Sequence, residues 1–175
     1  MKACAREVYG RDSVSGLTVA ISGVGHVGYH LGHHLHAEGC KLVVADIDRE
    51  NLDRAARDMG AEVVEGDAIF DAACDVFAPC ARGGVLNDKT IPRLKCKIIA
   101  GAANNQLEDE ARHGAEVQKR GILYAPDYVI NSGGLINVAN ELEGYNQERA
   151  LKQATGIYDI VARVLAISKE ERIPT

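Results

Sequence analysis

Apolar positions along this chain alternate between two patterns. Short, β-branched runs occur at Leu17–Ser22, Lys41–Asp46, Ala61–Val64, Asp75–Ala78, Lys97–Gly101 and Ile122–Ala125. Most of them lack the in-out alternation of a half-exposed strand, as expected for strands buried on both faces of a parallel sheet. Between them lie stretches of helical period at Gly25–Glu38, Arg49–Met59 and Glu108–Arg120. Gly39, Gly60 and Gly121 follow these stretches, where a helix favours a left-handed terminal residue. Strands alternating with helices imply right-handed βαβ crossovers. The prediction is an α/β fold, a doubly wound parallel sheet of six strands in the order 3-2-1-4-5-6. The link after the fourth run is less regular, being broken by Pro79, Gly83, Gly84 and Pro92. Two further helices are predicted at Gly133–Gly144 and Gln147–Lys169. The second carries Leu151, Ala154, Ile157, Tyr158, Val161, Val164 and Leu165 as one amphipathic stripe. Met1–Tyr9 reads as the end of a helix.

The turn after the first run is Gly23-Val24-Gly25-His26-Val27-Gly28. A GxGxxG alone is weak evidence, but here it follows a strand and opens a helix, the context that gives it meaning. Gly23 permits the tight turn, Gly25 lets backbone approach a pyrophosphate, and Gly28 allows close helix–strand packing. The helix N-terminus adds free N–H groups and a partial positive charge. Asp46 ends the second run, 18 residues beyond Gly28. That is near the spacing of about 20 for an acid that accepts hydrogen bonds from ribose hydroxyls. Such a carboxylate repels a 2′-phosphate and favours NAD over NADP. Arg49 is the opposing feature, because a nearby arginine accommodates that phosphate. The sheet is therefore expected to be of Rossmann type.

Composition narrows the field. At 175 residues the chain fits about one domain. Hydrophobic residues make up 46%, charged residues 26%, and the net charge is −5. This excludes disordered, coiled-coil and collagen-like classes. With a sequence pI of 5.7 there is no global field to attract nucleic acid or an anionic membrane. No run approaches the 18 or more apolar residues of a membrane span, and the charged N-terminus does not resemble a signal peptide. Cys4, Cys40, Cys74, Cys80 and Cys96 form no CxxC pair, which disfavours a disulfide framework or a cysteine zinc site. A cytoplasmic location is expected. Five of the six histidines, His26, His30, His33, His34 and His36, crowd one predicted helix. No neighbouring Cys or Glu completes a closed metal site, so no metal is assigned.

More specific motifs follow. Phe77-Ala78-Pro79-Cys80-Ala81-x-Gly83-Gly84 precedes Asn87-Asp88-x-Thr90-Ile91-Pro92. Next come Ala100-Gly101-Ala102-Ala103-Asn104-Asn105-Gln106-Leu107 and Tyr124-Ala125-Pro126-Asp127-Tyr128-Val129-Ile130-Asn131-Ser132-Gly133-Gly134. In these the chain resembles the Glu/Leu/Phe/Val family of amino-acid dehydrogenases, most closely its leucine-acting branch, over essentially its whole length. The resemblance implies reversible deamination of an L-amino acid to a 2-oxo acid and ammonia, with hydride passed to NAD. It implies cofactor contacts from Gly23, Gly25, His26, Val27, Gly28, Asp46 and Ile47. Ala78, Pro79, Cys80 and Ala81, then Ala102 and Asn104, would line the cofactor at the ends of the fourth and fifth strands. Asn131 would face both nicotinamide and substrate, with Leu135 and Val138 closing over the substrate's side chain. Asp127 and Tyr128 read as turn residues or as shapers of that site.

The resemblance also defines what this chain does not supply. The family's catalytic lysines, one in a GGGK stretch, and its catalytic aspartate belong to a separate N-terminal substrate domain. None of the eight lysines here has that context, so no catalytic residue is assigned. The expected organisation is a remnant of an interdomain helix at 1–12, an NAD-binding domain at 13–146 and a C-terminal helix at 147–175. Alone, the chain is expected to bind NAD without turnover, as a monomer or weak dimer, within a parent that is a homo-oligomer. His26 stands where the family usually has Asn, and Gly28 where it often has Ala. Leu135 replaces a frequent valine, a methylene worth about 1–3 kcal/mol in substrate discrimination. A regulatory NAD-sensing module, or a phenylalanine or valine dehydrogenase domain, are the alternatives.

Overall fold

The computed structural model describes residues 1–142 and 144–175. Helix α1 (Lys2–Tyr9) precedes β1 (Thr18–Ser22), α2 (His26–Ala37), β2 (Lys41–Ala45), α3 (Arg49–Met59) and β3 (Glu62–Val63). A 3₁₀ turn at Gly66–Asp71 leads to β4 (Val76–Pro79), and a second at Ile91–Arg93 to β5 (Ile98–Ile99). Then come α4 (Glu110–Lys119), β6 (Leu123–Tyr124), the single turn α5 (Asp127–Ile130), α6 (Gly133–Leu142), α7 (Gln147–Thr155) and α8 (Ile157–Glu171). All strand pairings are parallel. The order is β3-β2-β1-β4-β5-β6, as the hydrophobic pattern predicts. No helix among the described residues is long and apolar enough to cross a membrane.

Alternate residues of the central strands enter two different apolar clusters. Val19, Ile21, Val44, Val76 and Ile98 join helices α1, α2, α3 and α8 on one face. Ala20, Val43, Phe77 and Ile99 join Phe70, Leu86, Ile91 and Val117 on the other. Both faces are covered, which is why these strands are continuous apolar runs. Two helix ends follow the glycine signals closely. Gly39 and Gly121 have φ +85° and +70°. The paired bonds Gly39 N–H to His36 O and Cys40 N–H to Leu35 O close α2, and Gly121 to Gln118 with Ile122 to Val117 close α4. Strands β3, β5 and β6 are shorter than predicted, with two residues each.

The predicted helix Gln147–Lys169 is two helices. Gly156 N–H bonds to both Lys152 O and Gln153 O, tightening the turn and redirecting the chain. The predicted stripe is split as a result. Val161 and Leu165 are buried against Ala3, Cys4 and Ala5 of α1, whereas Leu151 on α7 is exposed. The predicted helix Gly133–Gly144 is α6, ending at Leu142; its position 143 lies outside the described residues. Asp75 anchors the start of the sheet, accepting from Thr18 N–H (2.8 Å) and the Tyr9 hydroxyl (3.0 Å).

Candidate functional site

The glycine loop joins β1 to α2 at the carboxyl end of the sheet, and its three glycines face three different constraints. Gly23 has φ +97°, and a Cβ there would lie 2.6 Å from the Ala81 side chain. A Cβ on Gly28 would lie 2.0 Å from Gly23 O and 3.3 Å from Cys80 Cβ. The helix is therefore seated closer than even an alanine permits in this arrangement. Around Gly25 the opposite holds: a Cβ would meet no atom within 4 Å. Gly25 is the N-cap of α2, and no side chain caps that end. The first-turn N–H groups of a helix have no intrahelical partner. Open space over an uncapped helix start is what a pyrophosphate requires, so the loop fits a dinucleotide.

Asp46 is fixed beside this loop. Its Oδ2 accepts from Val24 N–H at 2.7 Å and its Oδ1 from Asp48 N–H at 2.9 Å. Each carboxylate oxygen keeps acceptor capacity for a further donor. Val27 and Ile47 flank the loop as exposed apolar side chains, Ile47 fully so. His26 is exposed at the helix start, with its ring edge-on to His30 at 4.9 Å. The described residues hold no group of three or more His, Cys, Asp or Glu placed to bind a metal. Arg49 is turned along α3, its Nε bonded to Asp53 at 3.0 Å.

The site continues along the ends of β4 and β5. Ala78 and Pro79 are buried, Cys80 is half-buried, and Ala81 packs on Gly23. Burial pushes the Cys80 thiol up to about 11, so it stays protonated near neutrality and is no nucleophile there. Pro79 O accepts from Ala103 N–H at 3.0 Å, which brings Ala102 and Asn104 alongside. Asn104 Oδ1 accepts a hydrogen bond from the side-chain amide of Asn131. Loop and strand ends thus form one rim running from Asp46 to Asn131.

Two residues hold the far end of that rim in shape. Gln106 is fully buried, and its Nε2 donates to Gly101 O (2.9 Å) and Ala103 O (3.0 Å), clamping the turn that carries Ala102 and Asn104. Asp127 accepts from Gln106 N–H at 2.9 Å and from Tyr128 N–H at 2.7 Å, tying that turn to the segment bearing Asn131. Gln106 was not singled out from the sequence; the signal available was a polar residue inside the run Ala100–Leu107. Leu135 and Val138 lie on the exposed face of α6 together with Leu142, at 73%, 55% and 88% exposure. They enclose no pocket among the described residues. A recess of about 470 Å³ between α1, α4 and α8 contains none of the rim residues.

A parallel sheet in this order, with a glycine turn and bare helix start beyond β1 and a carboxylate beyond β2, defines a Rossmann-type fold. The chain belongs to the glutamate/leucine/phenylalanine/valine dehydrogenase family, whose model matches residues 42–157. It is 58% identical over 175 residues to leucine dehydrogenase of Thermoactinomyces intermedius and 46% identical over 177 residues to that organism's phenylalanine dehydrogenase. Each match covers 100% of this chain and 48% of the relative, so the chain spans about half their length. The crystal structure of L-tryptophan dehydrogenase from Nostoc punctiforme superposes with TM-score 0.97 at 47% identity, covering 99% of this chain and 52% of that one.

Proposed function

We propose that this chain is the NAD-binding part of a cytoplasmic L-amino-acid dehydrogenase. Its substrate class is leucine and similar branched-chain amino acids, deaminated reversibly to a 2-oxo acid and ammonia. The observation that carries the reading is the pairing of a doubly anchored Asp46 with the uncapped, unobstructed α2 N-terminus at Gly25. NAD, when bound, supplies the hydride acceptor. The N–H groups of Gly25, His26, Val27 and Gly28 would hold its pyrophosphate, and the free acceptor capacity of Asp46 would take the adenosine ribose hydroxyls. Val27 and Ile47 would offer apolar surface to the adenine side. Ala78–Ala81 and Ala102 would flank the nicotinamide half, and Asn104 and Asn131 would present polar amide groups to it.

Pairing of Arg49 with Asp53 supports NAD over NADP, because the guanidinium is drawn along its own helix. This exposed pair is worth at most a few tenths of a kcal/mol, so Asp46 carries most of the discrimination. Leu135 and Val138 would meet the substrate's aliphatic chain once the cleft is closed by a substrate domain. General acid–base catalysis needs a group of tuned pKa beside the substrate; on this reading those groups lie outside residues 1–175. The parent is a homo-oligomer, and this chain alone a monomer or weak dimer.

Titration with NADH tests the reading. The sequence has no tryptophan, so emission of the reduced nicotinamide is recorded without that background. Saturable binding with one site per chain is expected. Absence of binding to a chain that is folded by circular dichroism would contradict it.

A further inference from the structure

Two cysteines that the dinucleotide site does not use lie side by side at the opposite, amino end of the sheet. Val76 on β4 pairs with Ile98 on β5, and Asp75 O accepts from both Lys97 N–H and Ile98 N–H at 3.1 Å. Cys74 and Cys96 each stand one residue ahead of this contact, and the chain bends there, at Asp75 and at Lys97. The two bends turn both cysteines to the face opposite Val76 and Ile98. Both side chains belong to one apolar cluster, with Cys96 buried and Cys74 half-buried at its margin. The remaining cysteines are placed elsewhere. Cys4 and Cys40 lie in the other cluster, where the Cys40 thiol bonds to Val14 O, and Cys80 sits at the carboxyl end of β4.

The geometry points to Cys74 and Cys96 as a reversible oxidation site, a pair of neighbouring thiols that hydrogen peroxide converts to an intramolecular disulfide. The thiolate of one cysteine attacks a peroxide oxygen, the O–O bond breaks, and the hydroxide expelled takes up the proton that thiol lost, leaving a sulfenic acid and water. The second sulfur, losing its proton, displaces that hydroxyl as a second water and forms the S–S bond. Two thiols and one peroxide become one disulfide and two waters. The two sulfurs already interact: a hydrogen bond from the Cys74 thiol holds Cys96 below the ordinary thiol range, and the same contact holds Cys74 above it. Cys74 lies on the solvent side of the pair, with Cys96 beneath it. The bond would bracket the segment from 74 to 96, which contains β4 and the rim residues Ala78–Ala81.

The test is stoichiometric hydrogen peroxide added to the folded chain, followed by thiol counting, peptide mapping and urea unfolding. Free thiols are expected to fall from five to three, with one cross-linked peptide pair joining residues 74 and 96. The urea midpoint is expected to rise, and dithiothreitol should reverse both changes. Cys74→Ser, checked for folding by circular dichroism, should keep all four of its thiols free of disulfide. The proposal is overturned if the thiol count stays at five, if the cross-link joins other cysteines, or if either sulfur stops at sulfinic acid without a cross-link.

Discussion

The two ends of the rim are built differently. At the glycine-loop end the backbone is locked by direct contact: Gly23 and Gly28 are packed so closely that Cβ atoms added to them would fall 2.0–3.3 Å from their neighbours. At the Asn131 end the frame is a set of side-chain clamps, Gln106, Asp127 and the Asn104–Asn131 pair, and it runs out into an exposed apolar face on α6. On the proposed reading the first end would hold the pyrophosphate and adenosine ribose, the part of the ligand that does not vary with the amino-acid substrate. The second offers adjustable polar groups and open hydrophobic surface, as suits the end where the relatives' substrates differ, from leucine to phenylalanine and tryptophan.

Substitutions should expose that difference. The largest effect is expected from Gly23→Ala, which places a side chain at φ +97° and within 3.0 Å of three Ala81 atoms. Left-handed strain of about 1–2 kcal/mol adds to overpacking of about 1–3 kcal/mol. Urea denaturation should show a loss of about 3 kcal/mol, and NADH binding should disappear. Gln106→Leu should be milder, about 2 kcal/mol, because two buried carbonyls lose their donor. Its loss of NADH affinity should be partial, since the glycine loop is untouched. Comparable losses of affinity in both variants would erase the proposed distinction between the two ends.

Alkaline pH probes the frame away from the rim. Burial, then the bond to Asp75, pushes the Tyr9 hydroxyl up to about 12. A group held protonated by the fold contributes stability that is present below its unfolded value of about 10. That contribution is lost as pH rises toward about 12. The urea midpoint should fall over this window, and less steeply in Tyr9→Phe; identical slopes would remove Tyr9 from the explanation. The smallest effect is expected at the open end. Leu142→Ser, at a residue 88% exposed, should change stability by no more than about 0.5 kcal/mol. A larger loss would mean that the α6 face is already covered.

How much of this was legible in the sequence follows from where the physics is local. The strands were readable because burial on both faces leaves unbroken apolar runs such as Leu42–Ala45, and their order because helices alternate with them. The glycine loop and Asp46 were readable because their spacing is set by one βαβ unit. The break at Gly156 was not, since apolar spacing continues across it from Leu151 to Leu165 and only the paired bonds to Lys152 and Gln153 reveal the turn. Gln106 was missed for a similar reason: its partners, Gly101 O and Ala103 O, are backbone atoms without a sequence signature. Cys74 and Cys96 are 22 residues apart in the chain and come together only because β4 and β5 are neighbours in the sheet.

The central claim is that Asp46, beside the bare helix start, selects and holds the dinucleotide. Parallel titrations of the chain and of Asp46→Ala with NADH and NADPH test it most directly. Loss of charge-assisted hydrogen bonds worth about 1.5–3 kcal/mol should weaken NADH binding by roughly 10- to 100-fold and bring NADPH to equal or better affinity. Unchanged NADH binding in the variant, or a native chain that prefers NADPH, would contradict the account.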